Sequence, residues 1–172
     1  MYHCGPTVYN RAHIGNLRSF LTWDILRRVF GLHGYAVRQV MNITDVDDKT
    51  IKRSREEGIT LKELANRYTD FFIKDIEKLN VLRPHILPLA TEHIKEMVIL
   101  IKKLLKRGYA YKAENGSIYF KISAFAQYGK LAQLVDVESP SIGGLRISRD
   151  EYGKNDIRDF ALWKAWSKED GD

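Results

Sequence analysis

Apolar positions along the chain fall into blocks whose spacing changes. Met1 to Cys4 reads as a short strand, broken by Gly5-Pro6-Thr7. From about Leu17 to Leu32 the spacing becomes helical, and Phe20, Leu21, Trp23, Ile25, Leu26, Val29 and Phe30 make this helix apolar on most sides. Such a helix is expected to be buried. Gly31 and Gly34 bracket its end, and Tyr35 to Met41 follows as a second strand. This β-α-β order predicts a parallel sheet with a right-handed crossover and any ligand beyond the carboxyl ends of the strands.

The middle of the chain is helical. Thr60-Leu61-Lys62-Glu63 has the form of a capping box. Leu61, Leu64, Ala65, Tyr68, Phe71, Phe72, Ile76 and Leu79 then recur near the 3.6 period. The stretch around Pro84 and Pro88 reads as a loop. A second amphipathic helix carries Ile94, Met97, Val98, Ile101, Leu104 and Leu105 on one face and lysines on the other, and Gly108 ends it. Beyond it, Tyr109 to Tyr111 and Ser117 to Ile122 predict a β-hairpin around Asn115-Gly116. Tyr128 to Asp150 is polar and glycine-broken, suggesting irregular structure or short strands. Asp159 to Lys164 is the last apolar segment, and Lys168 to Asp172 reads as a frayed tail.

Composition narrows the class. With 44% hydrophobic and 29% charged residues, the chain is that of a globular protein. No apolar run approaches the ~20 residues a membrane helix needs, and the first residues lack the basic and hydrophobic regions of a signal peptide. A single cysteine allows no internal disulfide, so a cytoplasmic location is expected. The net charge of +6 and pI near 9.3 suit a polyanionic partner such as RNA without requiring one.

The sharpest chemical feature is Ala12-His13-Ile14-Gly15-Asn16, at the turn into the first helix. A helix start offers unpaired N–H groups and the positive end of the dipole, which attract phosphate. Histidine can hydrogen-bond phosphate oxygens, and glycine leaves room for a flat base to approach the backbone. The four-letter pattern alone is better explained by an ordinary βα loop. Its surroundings add weight. Cys4-Gly5-Pro6-Thr7-Val8-Tyr9-Asn10 precedes it, and Asn42-Ile43-Thr44-Asp45-Val46-Asp47-Asp48-Lys49 follows the second strand. Ala90-Thr91-Glu92-His93-Ile94 and Asp159-Phe160-Ala161-Leu162-Trp163-Lys164 come later.

Together, in this order, these segments resemble cysteinyl-tRNA synthetases, a class I family, over essentially the whole chain. The resemblance implies that Gly5, Pro6, Thr7, Tyr9, His13, Gly15 and Asn16 bind ATP. His13 and Asn16 would act on the phosphates as catalytic residues, and Gly15 would lie under the adenine. Asn16 stands where the class more generally has a second histidine, a familiar variant; its amide still donates hydrogen bonds but cannot become cationic. Cys4 would be one of four protein ligands to a zinc ion that binds the thiolate of substrate cysteine, and Thr44 would line the amino-acid pocket. Zinc favours sulfur over a hydroxyl, which separates cysteine from serine without an editing domain. The remaining ligands, a cysteine, a histidine and a glutamate, are implied beyond Lys164. No second cysteine occurs in this sequence, and His3 is expected to point away from Cys4, as neighbours on a strand do.

Two charged clusters have plainer readings. Asp45, Asp47 and Asp48 could hold a hard cation. Capping of the next helix, with Lys49, Lys52 and Arg53 supplying opposite charge, accounts for them better. Lys102, Lys103, Lys106 and Arg107 fall on the solvated side of their helix and need no tRNA to explain them.

The expected fold is α/β: the first half of a Rossmann-type nucleotide-binding domain bearing the His-Ile-Gly-Asn signature, over residues 1–110 with its helical segments. A connective insertion and the start of the return to the catalytic domain would occupy 111–172. The chain reads as a monomeric fragment of a cysteine–tRNA ligase, with ATP and Mg, L-cysteine and tRNA(Cys) as partners and no membrane. Without the class's second, lysine-rich signature, it is expected to have negligible activity alone. A cysteine ligase of mycothiol biosynthesis and a non-catalytic nucleotide- or tRNA-binding module are the alternatives.

Overall fold

The computed structural model describes residues 1–131 and 158–167. The expectations for Tyr128 to Asp150, apart from its first four residues, and for the tail from Lys168 lie outside them. The chain divides into two compact units, Met1–Ile94 and the residues from Lys95 onward.

In the first unit β1 (Tyr2–His3) and β2 (Val40–Met41) pair in parallel across α1 (Ile14–Leu32), the β-α-β order expected. The second strand is shorter than predicted. Tyr35, 66% exposed, turns back to pack its ring edge-on against Phe30, and the ladder begins only at Val40. The Pro84–Pro88 stretch, read as a loop, instead lies parallel to β2, with bridges Val40↔Ile86 and Ile43↔Leu89. Met41 donates to the Ile86 carbonyl at 3.0 Å and Ile43 to the Pro88 carbonyl at 2.9 Å. Proline lacks a donor but keeps its acceptor, and the acceptor faces the sheet here, which is how an edge segment tolerates it.

The core gathers Val8, Phe20, Met41, Ile43, Leu64, Tyr68, Phe72 and Ile76 between this sheet, α1 and α3 (Leu61–Lys78). Phe20 meets Phe72 edge-on, with centroids 4.8 Å apart. The expectation that α1 is buried all round does not hold: only Phe20 and Asp24 are buried, whereas Ile25 is 60% and Leu32 86% exposed. Polar contacts hold the helix down instead. The buried Asp24 carboxylate accepts from Leu82 N–H at 2.9 Å and from Arg28 Nε at 2.7 Å, and Arg28 reaches the Asn80 carbonyl. Arg27 donates to Gln39 and to the Arg83 carbonyl.

Between them, α2 (Asp48–Glu56) is capped by Asp47, which accepts from Lys49 N–H at 2.9 Å. Thr60 and Glu63 form the expected reciprocal box at the start of α3. Glu57, just past α2, accepts from Arg53 at 2.6 Å and Arg67 at 2.5 Å, and so ties α2 to α3.

The second unit opens with α4 (Ile94–Lys106), whose predicted apolar face carries its one buried residue, Ile101; Met97 stays exposed at its margin. Lys102, Lys103, Lys106 and Arg107 are exposed. Gly108, at φ +75°, ends the helix with two backward hydrogen bonds, Gly108 N–H to Leu105 and Tyr109 N–H to Leu104. Then β3 (Ala110–Lys112) and β4 (Ile118–Phe120) form the hairpin, and β5 (Phe160–Trp163) adds antiparallel to β4. Asp159, buried, fastens this sheet by accepting from the Tyr111 hydroxyl and Ile122 N–H, each at 2.9 Å. No helix among the described residues is long and apolar enough to cross a membrane.

Two expected outcomes follow from these contacts. A Cβ added at Gly5 would lie 1.6 Å from the backbone oxygen of Asn42, so Gly5→Ala should cost at least ~3 kcal/mol in urea unfolding; a wild-type midpoint would show that the strands can part without penalty. The second concerns acid. Hydrogen bonds from the Thr60 backbone and hydroxyl hold Glu63 below the ordinary carboxylate pKa of 4.5. Burial pushes Glu57 up, but the Arg53 and Arg67 hydrogen bonds outweigh it and leave it lowered too. Carboxylates lowered on folding stabilise above their unfolded pKa and lose that contribution as pH falls through the folded value. Stability should therefore drop below pH 4.5, and Glu57→Gln with Glu63→Gln should flatten that drop; an unchanged pH slope in the double variant would refute the assignment.

Candidate active site

The turn between β1 and α1 is built around one extra residue. Tyr2 pairs with Val40 and His3 with Met41, but Thr7 pairs with Thr44; had the first register continued, Thr7 would face Asp45. The insertion falls in Cys4-Gly5-Pro6, and such bulges re-aim side chains. His3 turns inward and is buried against Trp23, with ring centroids 5.3 Å apart, while Cys4 is exposed on the other side. His3 Nδ1 donates to the Cys4 carbonyl at 3.1 Å, so its Nε2 accepts from the Gln39 amide at 2.8 Å. Burial lowers the pKa of this imidazole against the opposing pull of the Cys4 hydrogen bond. The ring is thus a neutral structural member behind the turn, and it cannot share a ligand with the Cys4 thiol.

Beyond the turn lies a cleft of about 640 Å³. It brings together Cys4, Gly5, Pro6, Thr7, Tyr9, His13 and Asn16 of the residues singled out from sequence. Gly15 and Thr44 do not line it. The Thr44 hydroxyl accepts from the Asn42 amide at 3.1 Å, and Thr44 N–H pairs with the Pro6 carbonyl. Gly15 sits behind His13: a Cβ there would press on the imidazole at 3.0–3.1 Å.

His13 and Asn16 have a local role that their sequence pattern did not reveal. His13 is the N-cap of α1, its Nδ1 accepting from Gly15 N–H at 3.1 Å, and Asn16 Oδ1 accepts from His13 N–H at 3.1 Å. A ring nitrogen that accepts carries no proton, so the neutral imidazole bears its proton on Nε2. The Asn16 amide is oriented likewise, its oxygen consumed by the cap and its NH₂ left as the donating end. Both side chains therefore offer donors, and both line the cleft.

Other lining residues were not assigned to the site from the sequence, among them Arg11, Trp23 and Lys49. Arg11 lies over the Phe71 ring at 4.1 Å and 3.8 Å from Asp75. Lys49, expected to neutralise the neighbouring aspartates, instead places its ammonium 5.3 Å from the Tyr9 ring centroid. Asp45 is occupied elsewhere: Thr91 donates to it through both N–H and hydroxyl, at 3.0 and 2.5 Å. Among the described residues no carboxylate lines the cleft.

A metal fits this site poorly on the described residues alone. Cys4 supplies one sulfur, and among the described residues no three His, Cys, Asp or Glu side chains come together as a metal would require.

Known proteins place the chain. The family described as the tRNA synthetases class I (C) catalytic domain matches residues 1–172. A cysteine–tRNA ligase of Brachyspira hyodysenteriae is 50% identical over 172 residues, covering all of this chain and 36% of that protein. Those of Opitutus terrae and Chlamydia pneumoniae are 48% and 46% identical, over 99% and 98% of the chain and 38% and 35% of their own lengths. The chain thus spans a little over a third of the length of these relatives. With its α/β architecture and full-length match, the chain belongs to the family of class I tRNA synthetase catalytic domains represented by the cysteine enzymes.

Proposed function

We propose that this chain carries the nucleotide-binding part of a cysteine–tRNA ligase, as the first half of a Rossmann-type domain over residues 1–110 followed by a connective insertion over 111–172. The observation that carries the reading is the placement of two oriented donors, His13 Nε2–H and the Asn16 NH₂, in a cleft at the carboxyl end of β1 that no carboxylate of the described residues lines. Open α/β sheets bind ligands at that end. Relatives named as cysteine–tRNA ligases, about half identical over the whole chain, point the same way.

In the proposed reaction a carboxylate oxygen of cysteine attacks the α-phosphorus of ATP. The new P–O bond forms as the bridge to the β-phosphate breaks, and magnesium pyrophosphate leaves with the electron pair. A ribose hydroxyl of tRNA(Cys) then attacks the acyl carbon and releases AMP. Negative charge builds on the phosphate oxygens in the first step, and donors already held in place stabilise it without reorganising. His13 and Asn16 are assigned that role. Gly5, Pro6, Thr7 and Tyr9 would shape the seat of the nucleotide, Gly15 would keep room for the His13 ring and the adenine, and Thr44 would stand behind the amino-acid pocket. Cys4 is proposed as one sulfur ligand to zinc. Its co-ligands have no counterpart among the described residues, so no step is assigned to the metal.

Cysteine-dependent exchange of pyrophosphate into ATP, measured on the full-length protein, tests this. Loss of one preorganised donor typically slows such a step by ~100-fold or more, and His13→Ala should do so while serine supports no exchange. Wild-type exchange that is indifferent to His13→Ala, or equal with serine, would overturn the reading.

A further inference from the structure

Lys49 is the lining residue whose placement the proposed function leaves unexplained. It occupies the second position of α2, two residues past the Asp47 cap. A cation there faces the positive end of the helix dipole, where carboxylates are favoured. Residues that break a local rule without local compensation tend to sit at functional sites. Compensation is missing here. Asp45 is engaged by Thr91, Asp47 is spent on the cap, and among the described residues no carboxylate lies within ion-pair distance of the Lys49 ammonium. The neighbouring cations of the same helix are paired, Lys52 with Glu56 and Arg53 with Glu56 and Glu57. Arg11, the other cation of the cleft, is held by Asp75 and Phe71.

The Lys49 side chain instead runs into the cleft shared by His13 and Asn16, steadied by the Tyr9 ring at 5.3 Å. That contact holds an ammonium in place without neutralising it. We propose that Lys49 is a phosphate-binding residue of this cleft, its ammonium pairing with oxygens of the nucleoside triphosphate chain. The inference rests on the reading of the cleft as a nucleotide site. It adds to that reading the only full positive charge in the cleft that is unpaired among the described residues, contributed by α2 rather than by the signature that starts α1. Tyr9 becomes the support that aims it.

The test is titration of Mg-ATP and of adenosine into the full-length protein by calorimetry, with wild type, Lys49→Ala, Lys49→Met, Lys49→Arg and His13→Ala. Lys49→Met keeps the aliphatic packing on Tyr9 and removes only the charge, and matched melting curves verify folding. A charge-assisted contact predicts ATP binding at least ~tenfold weaker in Lys49→Ala and Lys49→Met. Lys49→Arg should restore most of it, and adenosine affinity should not change. If His13→Ala weakens ATP and the Lys49 variants do not, the role of Lys49 is refuted and the nucleotide site stands. Equal losses for ATP and adenosine would make Lys49 a structural residue and also refute it. If wild type binds no ATP at all, the underlying reading fails and this one falls with it.

Discussion

The first unit depends on a contact that involves almost no side chain. At Gly5, just past β1, the backbone runs so close to the Asn42 carbonyl that a single added carbon would collide with it. Asn42 reinforces the approach through its amide, which accepts from Gly5 N–H and the Tyr2 hydroxyl and donates to Thr44. Because the strands are pinned there, the extra residue between His3 and Thr7 cannot be absorbed by sliding the ladder. It is absorbed by the turn. That turn sends His3 into the interior and Cys4 outward, and it delivers the chain to the start of α1 at the mouth of the cleft.

What holds α1 over the sheet is more polar than its composition suggests. Asp24, Arg27 and Arg28 reach backbone groups of Asn80, Leu82 and Arg83. Deleting one partner of a buried carboxylate contact costs more than the contact contributes, because the remaining group is stranded. The helix is therefore fixed in orientation by a few specific bonds while much of its apolar surface remains exposed. A fixed orientation is what the cap needs, since the direction of the His13 Nε2–H bond follows from where α1 begins.

These features were unequally visible in the sequence. Thr60-x-x-Glu63 and the Asp47 cap are local chemistry, and residue types at fixed spacing suffice to read them. The β-α-β order was legible for the same reason. The extent of the second strand was not, because Tyr35 has a strand-forming side chain whose partner, Phe30, lies back along the helix. Pro84 and Pro88 hid a sheet segment, since proline signals a missing donor but not which way its carbonyl faces. The apolar residues of α1 report affinity for burial and say nothing of how much covering surface this stretch of chain provides. His13 and Asn16 were marked for phosphate; that together they also cap the start of α1 required geometry. Lys49 was assigned to its neighbouring aspartates because proximity in sequence is the only electrostatics a sequence displays.

In the proposed reading the cleft divides its means of attracting an anion. His13 and Asn16 contribute neutral donors whose acceptor atoms are already consumed by the helix cap, so neither can turn an oxygen or a bare nitrogen toward an incoming phosphate. Neutral donors give direction, since a hydrogen bond weakens steeply away from linearity. A lysine gives charge with little direction, its ammonium being a compact ion on a flexible stem. In the proposed reading, directional donors on the rigid start of α1, with a cation arriving separately from α2, would let phosphate oxygens shift during in-line transfer while staying paired. Had both functions rested on α1, any adjustment of the charge would have disturbed the cap that sets the donors.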